Sequence, residues 1–357
     1  MTARPAIDLA AVRRVLLVKL SSLGDVVHAT PVIRAVRQAL PDAYVTLAVD
    51  RAYAALVEGH PALDAVVRAT PGTSRIGRWR EAPAALAGQR FDLAIDLQGS
   101  LRSARWINAS RARWKTGRAA PGTRRAWRLG WRPVVRPDPR QHAIRVCAAV
   151  AEAIGIAVGS LEPEIHPSPA ADAAVAALLA RRGLPAGGFL LVNPFTLWPS
   201  KTWPAADYAE LIRRLASAID APIIVTGGPA EAAGGEALAA AVGHPAVLSL
   251  TGRLTLDQAL CLYARAALMV TGDSGPMHAA AALGTRVVAL FGPTWPQCTG
   301  PWGAGHRVVS GRPPPSPQSF RDDPAGAHIR SIPVAAVERA VREAWAERAG
   351  QGGAASR

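Results

Sequence analysis

Thr271-Gly272-Asp273-Ser274-Gly275-Pro276-Met277-His278 is the stretch whose reading decides the fold. It follows Ala266-Ala267-Leu268-Met269-Val270, an apolar run that reads as a buried strand, and precedes Ala279 to Leu283, which reads as a helix. Gly275 before Pro276 marks a helix start, since proline is tolerated at the first helical position. Such a turn aims backbone N–H groups, a hydroxyl, a carboxylate and an imidazole at one point. In an open α/β sheet that point lies beyond the carboxyl end of a strand, at a helix N-terminus, where phosphate-bearing ligands bind. A second buried strand, Val287-Val288-Ala289-Leu290-Phe291, ends in the turn Gly292-Pro293-Thr294. Two adjacent strand ends with polar turns predict one crevice.

The same alternation of strand and helix runs outward through both halves. Val15 to Val18, Tyr44 to Val49, Ala65 to Val67 and Leu93 to Asp96 read as strands. Helices are predicted over Gly24–Leu40, Ala52–Glu58 and from Ser100 onward. Arg111 to Arg140 reads as long surface loops, and periodicity resumes at His142 to Ala153. Residues 155–170 have linker composition. Beyond them come strands at Phe189–Val192, Pro222–Val225 and Val247–Leu248, and helices at Ala171–Arg182, Ala205–Ile219, Glu231–Val242 and Leu256–Ala264. Residues 311–328 read as a Pro-rich loop, and Val334 to Arg348 as a last amphipathic helix. Strands alternating with helices predict parallel sheets covered on both faces. The expected domains are 1–165 and 166–332, then a terminal helix over 333–349 and a disordered tail over 350–357.

The chain has 357 residues, enough for two domains. No apolar run reaches the roughly 18 residues that span a bilayer. Met1 to Ala11 has no signal-peptide pattern. Three cysteines, Cys147, Cys261 and Cys298, show no metal spacing, so a reducing cytoplasm is the expected compartment. The net charge of +15 is uneven: residues 1–165 hold 25 Lys+Arg against 13 Asp+Glu, and residues 166–357 hold 16 against 13. The first half is therefore expected to meet something anionic. Genomic preference for arginine is the competing explanation, since the only lysines are Lys19, Lys115 and Lys201.

Four strand-end turns carry groups that can do chemistry. Lys19-Leu20-Ser21-Ser22-Leu23-Gly24-Asp25 leaves the first strand and enters a helix. It is neither G-x-G-x-x-G nor a P-loop. Asp25 reads either as a carboxylate complementing the helix dipole or as a general base facing a cleft. Thr196 and Lys201 stand five apart in a loop that reads as suited to phosphate oxygens, or Lys201 is a surface lysine beside a structural tryptophan. Glu231 reads as a helix-start carboxylate or an acceptor for ribose hydroxyls. Asp273 and His278 read as a turn residue and a packed helix residue, or as ligands of the crevice. No G-x-S-x-G elbow and no metal-ligand set is present, so no required metal is expected.

These stretches resemble the ADP-heptose lipopolysaccharide heptosyltransferases, glycosyltransferase family 9. The matching segments are Val18-Lys-Leu-Ser-Ser-Leu-Gly-Asp25, Asp96-Leu-Gln-Gly99, Ser200-Lys-Thr-Trp-Pro204, Asp273-Ser-Gly-Pro-Met-His278 and Phe291-Gly-Pro-Thr294. Ser-Ser-Leu-Gly-Asp, Gln141-His142-Ala143 and Arg78-Trp79-Arg80 look most like the type I subgroup, which adds the first heptose to Kdo of the inner core. The resemblance implies an α/β GT-B fold: two Rossmann-like domains facing a central cleft, the last helix packing back on the first domain. It implies inverting, metal-independent transfer of L-glycero-D-manno-heptose from ADP-heptose to Kdo-lipid A.

In that scheme Asp25 is the base and Lys201 neutralises the leaving diphosphate. Ser22, Gly24, Thr196, Glu231, Asp273, Ser274, Gly275 and His278 are the donor contacts. Lys19, Arg78, Arg80, Arg124 and His142 are the acceptor contacts, with Arg75 and Arg125 beside them. Trp79, Trp127 and Trp131 either dock on a membrane surface or pack under loops. The expected protein is cytoplasmic, peripheral on the inner membrane, and uses no cofactor; a monomer is expected, with the oligomeric state left open by the sequence. Two other functions stay open: a family member with another nucleotide sugar or acceptor, such as a later core heptose or a protein hydroxyl, and a basic nucleic-acid-binding protein. Nothing resembles a helix-turn-helix or an aromatic RNP strand, and no nucleic-acid partner is expected.

Overall fold

The computed structural model describes residues 7–70, 81–82, 84–119, 131, 134–136, 138, 140–317 and 321–352, with side chains to 348. The chain divides into two compact units, Met1–His166 and Pro167–Arg357.

In the first unit, β1 (Arg14–Val18), β2 (Tyr44–Asp50), β3 (Ala65–Ala69), β4 (Leu93–Asp96), β5 (Trp114–Arg118) and β6 (Val134–Val135) form one sheet in the order β3-β2-β1-β4-β5-β6. Every pairing is parallel. β1 is the apolar centre; Val15 to Val18 are fully buried because helices cover both faces. Strand order reverses between β1 and β4, the switch point where such sheets open a crevice. Val18 pairs with Asp96, so the turns that leave these two strands start side by side.

The segment over Gly24–Leu40 is two helices, Leu23–Val27 and Thr30–Ala39, where one was expected. Pro31 has no N–H to continue the first helix and instead begins the second. The predicted helix over Ala52–Glu58 is a 3-10 turn, Arg51–Leu56. The expectation of loops throughout 111–140 is corrected by β5 and β6. β5 reads Trp-Lys-Thr-Gly-Arg and has no apolar run to announce it. Backbone pairing to β4 sets it, and Gly117 is required there: a Cβ would lie 2.6 Å from Asp96 Cβ.

In the second unit, β7 (Leu190–Asn193), β8 (Ile223–Val225), β9 (Val247–Ser249), β10 (Leu268–Gly272), β11 (Val287–Phe291) and β12 (Arg307–Ser310) run in the order β12-β11-β10-β7-β8-β9, again all parallel. Counted from its own first strand, this is the order of the first unit, and its switch point lies between β7 and β10. The helix after β10 begins at Gly275, not Ala279, with Pro276 in its first turn.

The last helix, Val334–Gly352, runs past the expected end. Its placement on the first domain is also corrected. Val337, Val341 and Ala344 are buried in the second unit's own core, with Leu211, Leu215, Val288 and Leu290. The apolar stripe along this helix covers β10, β11 and β12, a face that would otherwise stand open to water. Among the described residues no helix is long and apolar enough to cross a membrane.

Candidate active site

At the first switch point, the turn after β1 carries Lys19, Ser22 and Asp25. Ser22 sits just before the short helix, with Asp25 in its first turn. Ser22 donates its N–H (3.2 Å) and its hydroxyl (2.9 Å) to Asp25 Oδ2. Lys19 Nζ lies 3.4 Å from Oδ1. Burial opposes charge on Asp25, but the Lys19 ammonium, His28 and the two Ser22 donors together hold the carboxyl well below the usual carboxylate range. The Asp25 side chain still keeps 43% of its surface exposed. It is an ionised carboxylate that can be reached.

Lys19, expected among the acceptor contacts, is a buried side chain here. It is 1% exposed, and its ammonium donates to the Leu97 carbonyl at 3.2 Å as well as facing Asp25. Gly24 is buried inside the short helix. His28 and His142 meet edge to face with ring centroids 5.5 Å apart, so His142 joins the Asp25 neighbourhood. His142 also precedes the helix Ala143–Glu152, its Nδ1 accepting the Ile144 N–H at 3.3 Å. Arg78, Arg80 and Arg124 lie outside the described residues, as do Arg75, Arg125, Trp79 and Trp127. Trp131 packs in the core and donates from Nε1 to Asn108 Oδ1 at 3.2 Å.

The adjoining turn after β4 was matched by sequence but given no role. Asp96 is fully buried, and its Oδ1 accepts the N–H groups of Gln98 and Gly99, both at 2.9 Å. Its Oδ2 accepts the Ser103 hydroxyl at 2.9 Å. Burial pushes its carboxyl up to about 6 against these hydrogen bonds and the Lys19 charge. Gln98 Oε1 accepts the Ser21 N–H at 3.1 Å.

At the second switch point, the loop after β7 and the turn after β10 meet. Lys201 Nζ lies 2.5 Å from Asp273 Oδ2, with side chains 14% and 5% exposed. The Thr294 hydroxyl, at the end of the turn after β11, donates to the same oxygen at 2.7 Å. Thr294 went unassigned in the sequence; its signal was only its place in a matched strand-end turn. Gly272 allows the loop to come this close, since a Cβ there would lie 3.0 Å from Thr196 Cγ2 and 3.3 Å from the Lys201 carbonyl. Thr196 Oγ1 is 2.8 Å from Thr202 Oγ1 and donates to the Trp198 carbonyl at 2.8 Å. Ser274 precedes the helix Gly275–Ala282 in an extended conformation; its hydroxyl does not cap that helix but lies 3.2 Å from Thr271 Oγ1. His278 is buried in the same helix.

Glu231 precedes the helix Ala232–Val242 beyond β8. Burial pushes the Tyr263 hydroxyl up to about 12 against hydrogen bonds with Asn193 and Thr226, and the Glu231 charge pushes the same way. Glu231 itself stands in the short turn Pro229–Glu231 that follows β8. Among the described residues no three His, Cys, Asp or Glu side chains gather as metal ligands. The first unit thus offers a reachable carboxylate among cationic groups. The second offers a lysine, hydroxyls and a helix start, the means to hold an anionic leaving group.

Residues 79–328 match the family model described as glycosyltransferase family 9 (heptosyltransferase). The chain is 31% identical over 313 residues to lipopolysaccharide heptosyltransferase 1 of Pseudomonas aeruginosa, covering 81% of each. A shorter stretch of 113 residues, 31% of this chain and 32% of the relative, is 39% identical to lipopolysaccharide heptosyltransferase 2 of Escherichia coli. Among solved structures, E. coli heptosyltransferase WaaC with ADP is similar at 25% identity and TM-score 0.71, with 93% of this chain and 99% of that one covered. A family 9 glycosyl transferase from Veillonella parvula superposes with TM-score 0.82 at 21% identity, covering 96% and 99%.

Proposed function

Because this chain belongs to glycosyltransferase family 9, the heptosyltransferases, we propose that it transfers L-glycero-D-manno-heptose from ADP-heptose to Kdo of the lipopolysaccharide inner core. The observation that carries this reading is Asp25, ionised and 43% exposed at the end of β1. Asp25 takes the proton from an acceptor hydroxyl. The freed oxygen forms a bond to the anomeric carbon as the bond from that carbon to the β-phosphate oxygen breaks, and the electron pair leaves with ADP. A single displacement inverts the anomeric configuration, through a transition state with oxocarbenium character.

The departing charge is met by the Lys201 ammonium, the N–H groups of Ser274 and Gly275, and the Thr196 hydroxyl, with His278 behind them. Fixed donors of this kind support transfer without a metal. Asp273 orients Lys201 and takes sugar hydroxyls, and Glu231 takes ribose hydroxyls. Ser22 and Gly24 line the turn that presents the base. His142 and the arginines of the first half meet the acceptor, whose carboxylate and phosphates suit guanidinium forks. The charge excess of residues 1–165 supports a peripheral position on an anionic cytoplasmic membrane face.

The test is transfer from ADP-heptose to Kdo-lipid A, with and without EDTA, by wild type and Asp25→Ala. Turnover is expected to fall by roughly 10²-fold or more in the variant, the scale of a lost general base, with donor binding kept and EDTA without effect. A variant near the wild-type rate would remove Asp25 as base. Strong inhibition by EDTA would remove the metal-free scheme. The local similarity to a type 2 enzyme favours one second reading, a core heptose as acceptor; heptosylated Kdo-lipid A in the same assay separates the two.

A further inference from the structure

The turn after β4 is tied to the proposed base by two separate arms. One runs from the Leu97 carbonyl to Lys19 Nζ at 3.2 Å, and from Nζ to Asp25 Oδ1 at 3.4 Å. The other runs from Gln98 Oε1 to the Ser21 N–H at 3.1 Å, and from the next residue, Ser22, to Asp25 Oδ2. Each carboxylate oxygen of Asp25 therefore answers to a different residue of the same turn. The turn is itself fixed from below. Asp96 takes the Gln98 and Gly99 N–H groups, and the Leu97 N–H donates to the Val18 carbonyl at 3.1 Å. A buried carboxylate accepting three hydrogen bonds is a costly way to hold an ordinary loop. It is apt where a neighbouring group must be held to a fraction of an ångström.

We propose that the Asp96–Gly99 turn aims Asp25, with Gln98 as the positioning residue whose side-chain oxygen fixes the Ser21–Ser22 backbone beneath Oδ2. The inference rests on the reading of Asp25 as the base. Gln98 does not touch the reacting atoms in this scheme; it acts through Ser21 and Ser22. It is half-buried at the surface of the first unit, so replacing it leaves the core intact.

Gln98→Met keeps the length of the side chain and removes the acceptor, whereas Gln98→Glu keeps an acceptor oxygen. Each is measured alone and with Asp25→Asn, by heptose transfer from ADP-heptose to Kdo-lipid A. Gln98→Met is expected to lose roughly tenfold or more in kcat, as misplacement of a catalytic group does, with the donor KM and the melting temperature unmoved. Gln98→Glu restores most of that loss, and Gln98→Met costs nothing further when Asp25 is already Asn. Full turnover in Gln98→Met, or an equal further loss in the Asp25→Asn background, would overturn the positioning role. Near-normal turnover in Asp25→Asn alone overturns the base reading instead. Carbon-13 NMR titration of the Asp25 carboxyl needs no substrate: Gln98→Met is expected to move it up toward the ordinary carboxylate value, and an unmoved titration counts against the proposal.

Discussion

Asp25 and Asp96 share one cation, Lys19, yet their acidities move in opposite directions. Asp25 is reachable by water and faces Lys19, His28 and two Ser22 donors; Asp96 is sealed in, and burial outweighs its three hydrogen bonds. At neutral pH both are ionised, and as pH falls Asp96 is the first to take a proton. The acid limb of the pH–rate profile is therefore expected near pH 6, the value of Asp96, and not at the value of the base. Ser103→Ala removes a donor that favours the ionised form of Asp96, so that limb should move to higher pH. The same variant should cost about 1–2 kcal/mol of stability above the limb and less below it, measured by urea unfolding at pH 8 and pH 5. At this scale the sequence was informative about placement: the candidates Asp25, Lys201, Asp273 and Glu231 all stand in turns that leave strand ends. It set Gln98 and Thr294 inside matched stretches but gave them no role, because an amide or hydroxyl that only braces a neighbour does not announce what it braces.

Elements announced by apolar runs were legible, and elements set by their neighbours were not. β1, β4, β7, β10 and β11 are read directly from their hydrophobic residues. β5 and β12 lie off-centre in their sheets, carry charged residues and owe their extension to backbone pairing with β4 and β11. The last helix was legible as a helix but not in its destination, since an amphipathic stripe records that a face is buried and not against what. Deleting residues 334–357 tests the destination. The two fully buried valines, Val337 and Val341, alone contribute roughly 3–6 kcal/mol. The transition of the second unit should fall sharply in calorimetry and ADP affinity should be lost, while unfolding of the first unit is unchanged. A helix that belonged to the first unit would give the reverse.

Across the whole molecule, two sheets share one strand order, and the chain passes from the first unit to the second through a well-anchored boundary. On one side, Glu164 donates its N–H to Thr30 Oγ1 at 3.0 Å and faces Arg34, His60 and His166. On the other, Ser168 donates to both oxygens of Asp257, at 3.1 Å from its N–H and 2.6 Å from its hydroxyl. Burial lowers the buried His60 imidazole to about 4, outweighing the attraction of Glu164, with His166 and Arg34 pushing the same way as burial. His60 thus folds neutral, and the unfolded chain binds its proton more readily. On its account, stability rises with pH from about 4 to 6.5. Asp96 has its folded value above the unfolded 3.8, so on its account stability falls with pH from there to about 6. The two contributions, each on the order of 3 kcal/mol over its whole range, oppose each other within the first unit. Wild-type stability between pH 4 and 6 is expected to be nearly level. In His60→Gln it should decline as pH rises, which denaturant titrations at pH 4, 5 and 6 would reveal; a level profile in the variant would refute the assignment.

The placement of the lysines has a consequence for chemical labelling. Of 41 Lys and Arg residues, only three carry an amine, and one lies at each switch point. Lys115, half-buried with its amine made less basic by desolvation, is the ready nucleophile for an acylating reagent. Lys201 yields only when its partnership with Asp273 opens, so protection of this one amine reports occupancy of the second unit's crevice. Lys19, sealed at 1% exposure, yields only when the first unit comes apart. A mass spectrum of the acylated protein thereby distinguishes surface, site and core with one reagent, because arginine leaves the rest of this cationic surface silent.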